Sequence, residues 1–305
     1  MDFLVAQEKA DVTADVKADL MADVAVDVSD ASARAAKTFA ANRAVGRIAL
    51  SVAADRGGSR RARVHEAGSL RVRFPNGDRR RTLDAVIVNT AGGMTGGDRF
   101  DIAIEVGAGA RLTVTTAAAE KIYRSLGPPT QIAVKLSVAA GGALAWLPQE
   151  TILFDQARLR RSVEVDLAGD ADLILAEAAV FGRSAMGEEV VCGGFFDRWR
   201  VRVAGALVFA ETVRLDGAIA QHLAQRAAAG GGVAVASVLK LRGDDSSVAA
   251  VRAMQHSFAG EVGVSCWNGL AVARLVAPDG AALRRDLVSV VTALDGAPLP
   301  RLWLS

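Results

Sequence analysis

Residues 84–125 read DAVIVNTAGGMTGGDRFDIAIEVGAGARLTVTTAAAEKIYRS, and the stretch joins strand-like segments through glycine-rich turns. Within it Phe100, Ile102, Ile104 and Val106 alternate with charged or small residues. A period of two is typical of a β-strand with one buried face and cannot produce the apolar stripe of a helix. The stretch therefore predicts a β-rich fold.

The apolar frame of this stretch recurs along the chain. Each copy has three alternating apolar residues, a small-residue turn and two further apolar residues. The copies are Ile102, Ile104, Val106, Leu112 and Val114; Val134, Leu136, Val138, Leu144 and Trp146; and Val163, Val165, Leu167, Leu173 and Leu175. A weaker fourth copy spans residues 199–209. Such repetition predicts stacked β-hairpin or β-helix-like sheets, in which each copy needs its neighbours to bury a face.

A polar segment with a glutamate follows each of the first three copies. These glutamates are Glu120, Glu150 and Glu177. If the copies stack in register, the three segments share one edge of the stack. This placement is a prediction about geometry and assigns no chemistry by itself.

The last third of the chain changes its period. Val248, Val251, Met254 and Phe258 fall on one helical face, and a second set does the same: Leu283, Leu287, Val290 and Leu294. Two α-helices in the C-terminal half are expected to cover the sheets. Because these faces need the sheets as partners, residues 41–305 are interpreted as a single mainly β domain.

The first 40 residues differ in composition from the rest. Aspartates recur there at every fourth position from Asp11 to Asp27, and eight acidic side chains stand against four basic ones. Aspartate is a poor helix former, and like charges at this spacing repel. Residues 1–40 are therefore expected to be a disordered or marginally helical extension.

Charge and cysteine content limit the class of protein. The formal net charge is +2, but residues 42–81 hold eleven arginines against three acids. Aromatic residues for base stacking are scarce there, which favours a solvated face or a protein partner over nucleic acid. Two distant cysteines indicate no disulfide framework. Without a long apolar run or a signal-peptide pattern, we expect a cytoplasmic protein with no membrane contact.

Known catalytic motifs find little support in the chain. The loop TAGGMTGGD lacks the lysine and hydroxyl of a phosphate-binding loop and leads into a strand. His65, His222 and His256 are too scattered for a tight metal site, and no GxSxG motif occurs. A carboxylate-dependent hydrolase and a nucleic-acid-binding protein stay open as alternatives, but a protein that is not an enzyme is the expectation.

Several longer motifs resemble one family. In chain order they are NTAGGMTGGDRF, TTAAAEKIYRS, WLPQETILFDQARLRR, FGRSAMGE, DRWRVR and PRLW. Together they resemble the UreD (UreH) urease accessory proteins over roughly residues 45–305. The resemblance implies a non-catalytic scaffold or chaperone for nickel insertion into urease. It also implies binding to the urease apoprotein subunits and to UreF, and through UreF to the GTPase UreG.

The family resemblance also suggests roles for individual residues. It implies no tightly bound cofactor but an internal passage for nickel, for which Asp98, Glu120 and Glu177 are the candidates. A passage must bind the ion weakly at several points, and carboxylates suit that requirement. An alternative with equal weight is that these three carboxylates are structural residues that form salt bridges at the edge of a sheet.

Tyr123 and Arg183 are expected to order the surrounding loops. Trp303, in the proline-flanked tail, is expected to dock on the body. The two helices and the tail near Trp303 are expected to bind UreF, because helix faces and exposed aromatic residues suit interfaces.

Overall fold

Each of the three repeats forms two strands that lie in different sheets. The computed structural model describes residues 38–39, 42–75, 81–125, 127–183 and 186–304. In it the repeats form six strands: β5 (Arg99–Val106), β6 (Arg111–Thr116), β8 (Thr130–Val138), β9 (Ala143–Trp146), β11 (Arg158–Leu167) and β12 (Asp172–Phe181). The first strand of each pair joins one sheet and the second strand joins the other.

The repeats stack in parallel, and they do so in the register that the sequence analysis considered as a condition. In the first sheet Ile102 pairs with Val134, and Val134 pairs with Val163. In the second sheet Leu112 pairs with Leu144, and Leu144 pairs with Leu173. The prediction of a mainly β, solenoid-like stack is confirmed. Of the two forms that the pattern allowed, the three repeats take the β-helix-like one, because the strands within a repeat do not pair with each other.

The remaining strands extend the two sheets. They are β1 (Val45–Asp55), β2 (Gly58–Gly68), β3 (Leu70–Arg73), β4 (Leu83–Asn89), β7 (Glu120–Ile122), β10 (Thr151–Leu153), β13 (Gly193–Val203), β14 (Ala206–Gly217), β15 (Ala234–Leu241), β16 (Glu261–Trp267) and β17 (Leu270–Ala277). The first sheet has the order β14-β13-β11-β8-β5-β1-β2. The second has the order β16-β17-β15-β12-β9-β6-β4-β3, with β10 joining β7 to β12.

The fourth copy begins like the others and then turns back. In β13, Trp199 lies in register beside Val163, but β14 pairs with β13 in antiparallel fashion within the same sheet. The connection is the pair Ala204 and Gly205, with φ of 49° and 83°. Two consecutive residues with positive φ give a turn whose twist matches a hairpin. The fourth copy therefore caps the first sheet and does not cross to the second.

Alternation along β12 separates two apolar cores. Leu173, Leu175 and Ala179 face the first sheet, whereas Ile174 and Ala176 face the opposite side. Residues on both faces are buried, so the sequence of this strand is almost continuously apolar. The inner core lies between the sheets, and the outer core lies under the C-terminal helices.

The two predicted helices are confirmed. They are α2 (Asp245–Ala253) and α3 (Gly280–Asp295), and a short helix that the sequence did not predict, α1 (Ile219–Ala224), precedes them. Asp244 and Asp279 cap α2 and α3 by accepting backbone N–H groups of the first turn. The predicted apolar face of α3 is buried against the second sheet.

Two predictions fall outside what the structure describes or tests. The extension predicted for residues 1–40 lies almost entirely outside the described residues. The single domain predicted for 41–305 remains a prediction. Within the described part, no helix is both long and apolar enough to cross a membrane.

Candidate functional site

Three charged side chains occupy inward-facing positions between the two sheets. Arg161 on β11 follows the buried Leu159 by two residues, which is the alternation of the inner face. Asp197 on β13 and Glu177 on β12 hold equivalent inward positions on their own strands. All three side chains are less than one-tenth exposed. Charged groups at apolar core positions require specific partners, because an isolated buried charge is strongly unfavourable.

Arg161 supplies those partners and links the two sheets. Its Nε and Nη2 donate to Asp197 Oδ1 and Oδ2 at 3.1 and 2.6 Å. Its Nη1 donates to Glu177 Oε2 and also to Thr151 Oγ1 at 3.2 Å. Trp146 Nε1 completes the group by donating to Glu177 Oε1 at 2.8 Å. We call these five residues the arginine cluster.

The arginine cluster holds one cation against two carboxylates. Burial raises the pKa of Glu177 above its usual range, and Asp197 adds to this effect while Arg161 opposes it. Burial lowers the pKa of Arg161, but the two carboxylates outweigh burial and raise it. The guanidinium therefore stays charged, and it is the shared counter-charge of the two carboxylates between the sheets.

A cavity of about 260 Å³ begins at the arginine cluster. Arg161, Glu177 and Asp197 line one part of it, while aromatic and aliphatic side chains such as Phe195 line much of the rest. A second ion pair also lies on its wall, where Arg274 Nε donates to Glu211 Oε1 at 3.1 Å. The cavity is thus an apolar space between the sheets with charged groups at defined points.

Glu120 lies on the same inner face of the second sheet. In the pairing of β7, β10 and β12, Glu120 is opposite Thr151, and Thr151 is opposite Ala179. Laterally paired residues project from the same face, so Glu120, Thr151 and Glu177 all point between the sheets. The predicted shared edge of the polar segments is present. Glu150 differs because it points away and accepts from Arg284 of α3 at 3.1 Å.

Glu120 is bound by a side-chain amide and by the backbone N–H of Lys121, and among the described residues no ion pair involves it. Asn89 Nδ2 donates to Glu120 Oε1 at 2.9 Å. Burial raises the pKa of Glu120 to about 7, although the Asn89 hydrogen bond acts in the opposite direction. Near neutral pH this carboxyl group can therefore exchange a proton, unlike an ordinary surface glutamate.

Asp98 has a different position and different partners. Its Oδ1 accepts from Ala44 N and its Oδ2 from Thr95 N, both at 2.8 Å. Asp98 therefore fixes the end of the glycine-rich loop TAGGMTGGD, residues 90–98. That loop is also bound to β7, since Met94 N donates to Lys121 O at 2.7 Å. Within the described residues, no hydrogen bond or ion pair joins Asp98 to Glu120 or Glu177, so the structure brings only the two glutamates onto one face.

Tyr123 and Arg183, the predicted loop-ordering residues, meet at Phe154. The Tyr123 ring lies edge-on to Phe154 at 4.8 Å, and the Arg183 guanidinium lies over the same ring at 4.2 Å. Tyr123 Oη donates to Gly92 O at 3.3 Å, and Arg183 forms an ion pair with Glu188. The two side chains thus connect three loops at the rim of the stack.

Trp303 docks on the body of the protein, as expected for the tail, and its ring is therefore not exposed for a partner contact. It is 2% exposed, and its Nε1 donates to Leu147 O at 2.9 Å. Arg284 lies over its ring at 4.4 Å. A large apolar ring gains more from burial against the helices than from exposure in the tail, so Trp303 anchors the C-terminus. A contact between Trp303 and UreF was expected on the ground that exposed aromatic residues suit interfaces, and the buried ring does not meet that condition.

The described residues contain no group of three or more histidine, cysteine, aspartate and glutamate side chains arranged to hold a metal ion. Cys192 and Cys266 are both free thiols.

Arg161 and Asp197 were missed by the sequence analysis. Their signal was present in the strand alternation, because both stand in the row where the first two copies carry Phe100 and Ile132. In RLRRSVEVDL, Arg161 shares its parity with Leu159, Val163 and Val165. A charged residue at an inward position of a repeat marks a buried polar site.

Comparisons with known proteins agree with this architecture. The family model described as "UreD urease accessory protein" matches residues 44–304. A urease accessory protein UreD from Rhodopseudomonas palustris (strain ATCC BAA-98 / CGA009) is 56% identical over 277 residues, which cover 91% of this chain and 99% of the relative. UreD of Bradyrhizobium diazoefficiens is 53% identical over 267 residues, covering 88% of this chain and 96% of the relative. By both its sequence and the extent of the match, the chain belongs to the UreD family of urease accessory proteins.

Proposed function

We propose that this chain is a non-catalytic, cytoplasmic factor in urease maturation. It binds the urease apoprotein and UreF, joins UreG through UreF, and helps to deliver nickel to the urease active site. Membership of the UreD family carries this proposal, and the carboxylates between the sheets are the feature of the fold that it uses.

Nickel is cargo in this proposal, so its contacts must be weak and successive. The three candidate residues differ in how far their oxygens are already engaged. Asp98 accepts two backbone N–H groups, and Glu177 is bound by Arg161 and Trp146. Glu120 accepts from the Asn89 side chain and the Lys121 backbone N–H, has no ion-pair partner among the described residues, and exchanges a proton near pH 7. We therefore rank Glu120 first as a transient nickel contact, followed by Glu177 and Asp98.

The test is urease activation in cells that express urease with all its accessory proteins. Glu120→Gln keeps the shape of the side chain and removes its charge, so we expect the nickel content of purified urease to fall several-fold. Asp98→Asn and Glu177→Gln are measured in the same way. Glu105→Gln is the matched control, because Glu105 is an exposed glutamate on the outer face of the first sheet, away from the space between the sheets.

Complex assembly must be measured separately from nickel content. A tagged chain is used to capture urease and UreF, and the captured amounts are compared among the variants. Loss of nickel with normal capture supports a role in delivery. Normal nickel content in all three variants rules out the carboxylate route, and failure to capture either protein rules out the scaffold role.

The UreF side of the molecule is proposed to include the C-terminal helices and tail. Trp303 contributes by anchoring the tail, which leaves Leu304 68% exposed beside it. Leu304→Asp should weaken capture of UreF without changing the fold. Val45→Asp is the control, at another exposed apolar residue, which lies on β1 and is 55% exposed. Unchanged capture by the Leu304 variant would remove the tail from the interface.

A further inference from the structure

A basic groove lies at the end of β11, β13 and β14, outside the inter-sheet site. Its volume is about 500 Å³, and its lining includes Pro128, Arg158, Arg160, Phe196 and Arg214. The three arginines are exposed and stand on the outer face of the first sheet. None of them takes part in the arginine cluster.

Strand pairing fixes how the arginines are spaced. Arg160, Phe196 and Arg214 form one row across the three strands. In the next row, Gly194 separates Arg158 from Asp216. Because Gly194 has no side chain, this row contains a depression between its two charged neighbours.

The groove has an excess of positive charge. Within the described residues, neither Arg158 nor Arg160 has a carboxylate within ion-pair distance, and only Arg214 is paired, with Asp216 at 3.6 Å. The Arg160 guanidinium lies over the Phe196 ring at 4.8 Å, which orients its plane. An ordered guanidinium binds a carboxylate through two parallel N–H donors at a smaller entropic cost than a mobile one.

The spacing matches an extended peptide with acidic residues at alternate positions. Arg158 and Arg160 are two residues apart on one strand, a separation of about 6.6 Å. The alternate side chains of an extended segment repeat at the same distance. A nucleic acid fits less well, because the Arg160 guanidinium already lies over the Phe196 ring, where a base would otherwise stack.

We infer that this groove is the docking site for an extended acidic segment of a protein partner. The segment lies along β11 and places alternate carboxylates against Arg158 and Arg160, while its backbone occupies the depression over Gly194. This site is separate from the proposed nickel route and does not depend on it.

The test uses the purified full chain and a fluorescein-labelled peptide of alternating glutamate and serine, with fluorescence anisotropy as the readout. Arg158→Glu with Arg160→Glu should weaken binding about tenfold or more, because charge-assisted hydrogen bonds are replaced by repulsion. Arg56→Glu with Arg63→Glu makes the same change in net charge at exposed arginines on the β1–β2 side, and should alter binding less than about twofold.

A second variant tests shape without changing charge. A Cβ at Gly194 would meet its neighbours at ordinary distances of 3.7 Å or more. Gly194→Val should therefore fold normally, fill the depression and weaken peptide binding about as much as the loss of one arginine.

Three results would overturn the inference. Equal weakening by the two double variants would mean that only net charge matters. Tighter groove-dependent binding of a single-stranded oligonucleotide than of the peptide would assign the groove to nucleic acid. Concentration-dependent dimerisation that is lost in the groove variant, without peptide binding by the wild type, would assign it to a second copy of the chain.

Discussion

Glu177 and Glu120 project from the same face of the same sheet, but their surroundings differ. Glu177 is bound by a guanidinium from the opposite sheet and by an indole N–H. Glu120 is bound by one side-chain amide. Burial raises the pKa of both carboxyl groups, but only Glu177 has a cation beside it.

The comparison shows how a stack of similar repeats produces two unlike sites. A charge partner that reaches across from the other sheet turns a buried glutamate into a cross-link. Where the partner is neutral, the glutamate stays exchangeable. The first arrangement fixes the distance between the sheets, and the second provides a group that can change its protonation near neutral pH.

The largest expected effect follows from removing the cation of the arginine cluster. Arg161→Met leaves Glu177 and Asp197 buried without compensation, so the free energy of unfolding should fall by about 3–5 kcal/mol. Urea titration at pH 7.5 measures it. Adding Glu177→Gln and Asp197→Asn should restore most of the loss. A loss below about 1 kcal/mol for the single variant would mean that the cluster does not depend on its cation.

The second prediction concerns the pH dependence of Glu120. Its pKa is higher in the folded protein than in the unfolded chain, so the wild type should lose stability as pH rises from about 4.5 to about 7. Glu120→Gln removes this loss, which amounts to about 3 kcal/mol. The variant should match the wild type near pH 4 and exceed it at pH 8 in urea titrations.

The control for this profile is Glu105→Gln, which lies on the exposed face of the first sheet. It should reproduce the wild-type pH dependence. If Glu120→Gln also keeps the wild-type dependence of stability on pH, then protonation is not what distinguishes Glu120 from Glu177.

The smallest expected effect concerns the second partner of Glu177. Trp146→Phe removes the indole N–H and leaves Glu177 Oε1 without a donor, at a cost of about 2 kcal/mol. Trp199→Phe removes a comparable ring volume from a buried position on β13 and serves as the control. If both variants lose the same stability, ring size accounts for the effect and the hydrogen bond adds little.

The alternation of apolar residues was sufficient to predict that the repeats stack, and the structure shows the register that the sequence analysis only assumed. Each inward residue of one copy meets its equivalent in the next, as Ile102, Val134 and Val163 do. The hairpin of the fourth copy was harder to predict. The pattern of apolar residues alone does not indicate whether the chain crosses to the other sheet after a turn or pairs back within the same sheet. The two-residue turn at Ala204 and Gly205 makes that choice.

The site was predicted less completely than the fold. Glu120 and Glu177 were identified from their place after each repeat, and register places them on one face. Their difference depends on which residue of the opposite sheet faces each of them. Arg161 reaches Glu177 across the space between the sheets. A contact between two sheets cannot be deduced from the residue pattern of a single strand.

The hairpin that ends the first sheet also affects how the molecule meets other chains. A parallel stack that stopped at β11 would offer an unpaired strand edge to which a further strand could add. Instead β14 turns back, and it carries exposed polar side chains such as Thr212 and Arg214. At the other end of the sheet, β2 places Arg60, Arg61 and Arg63 along its exposed edge. Charged and polar side chains on both edge strands oppose the addition of a further strand, so they limit edge-to-edge association of the stack.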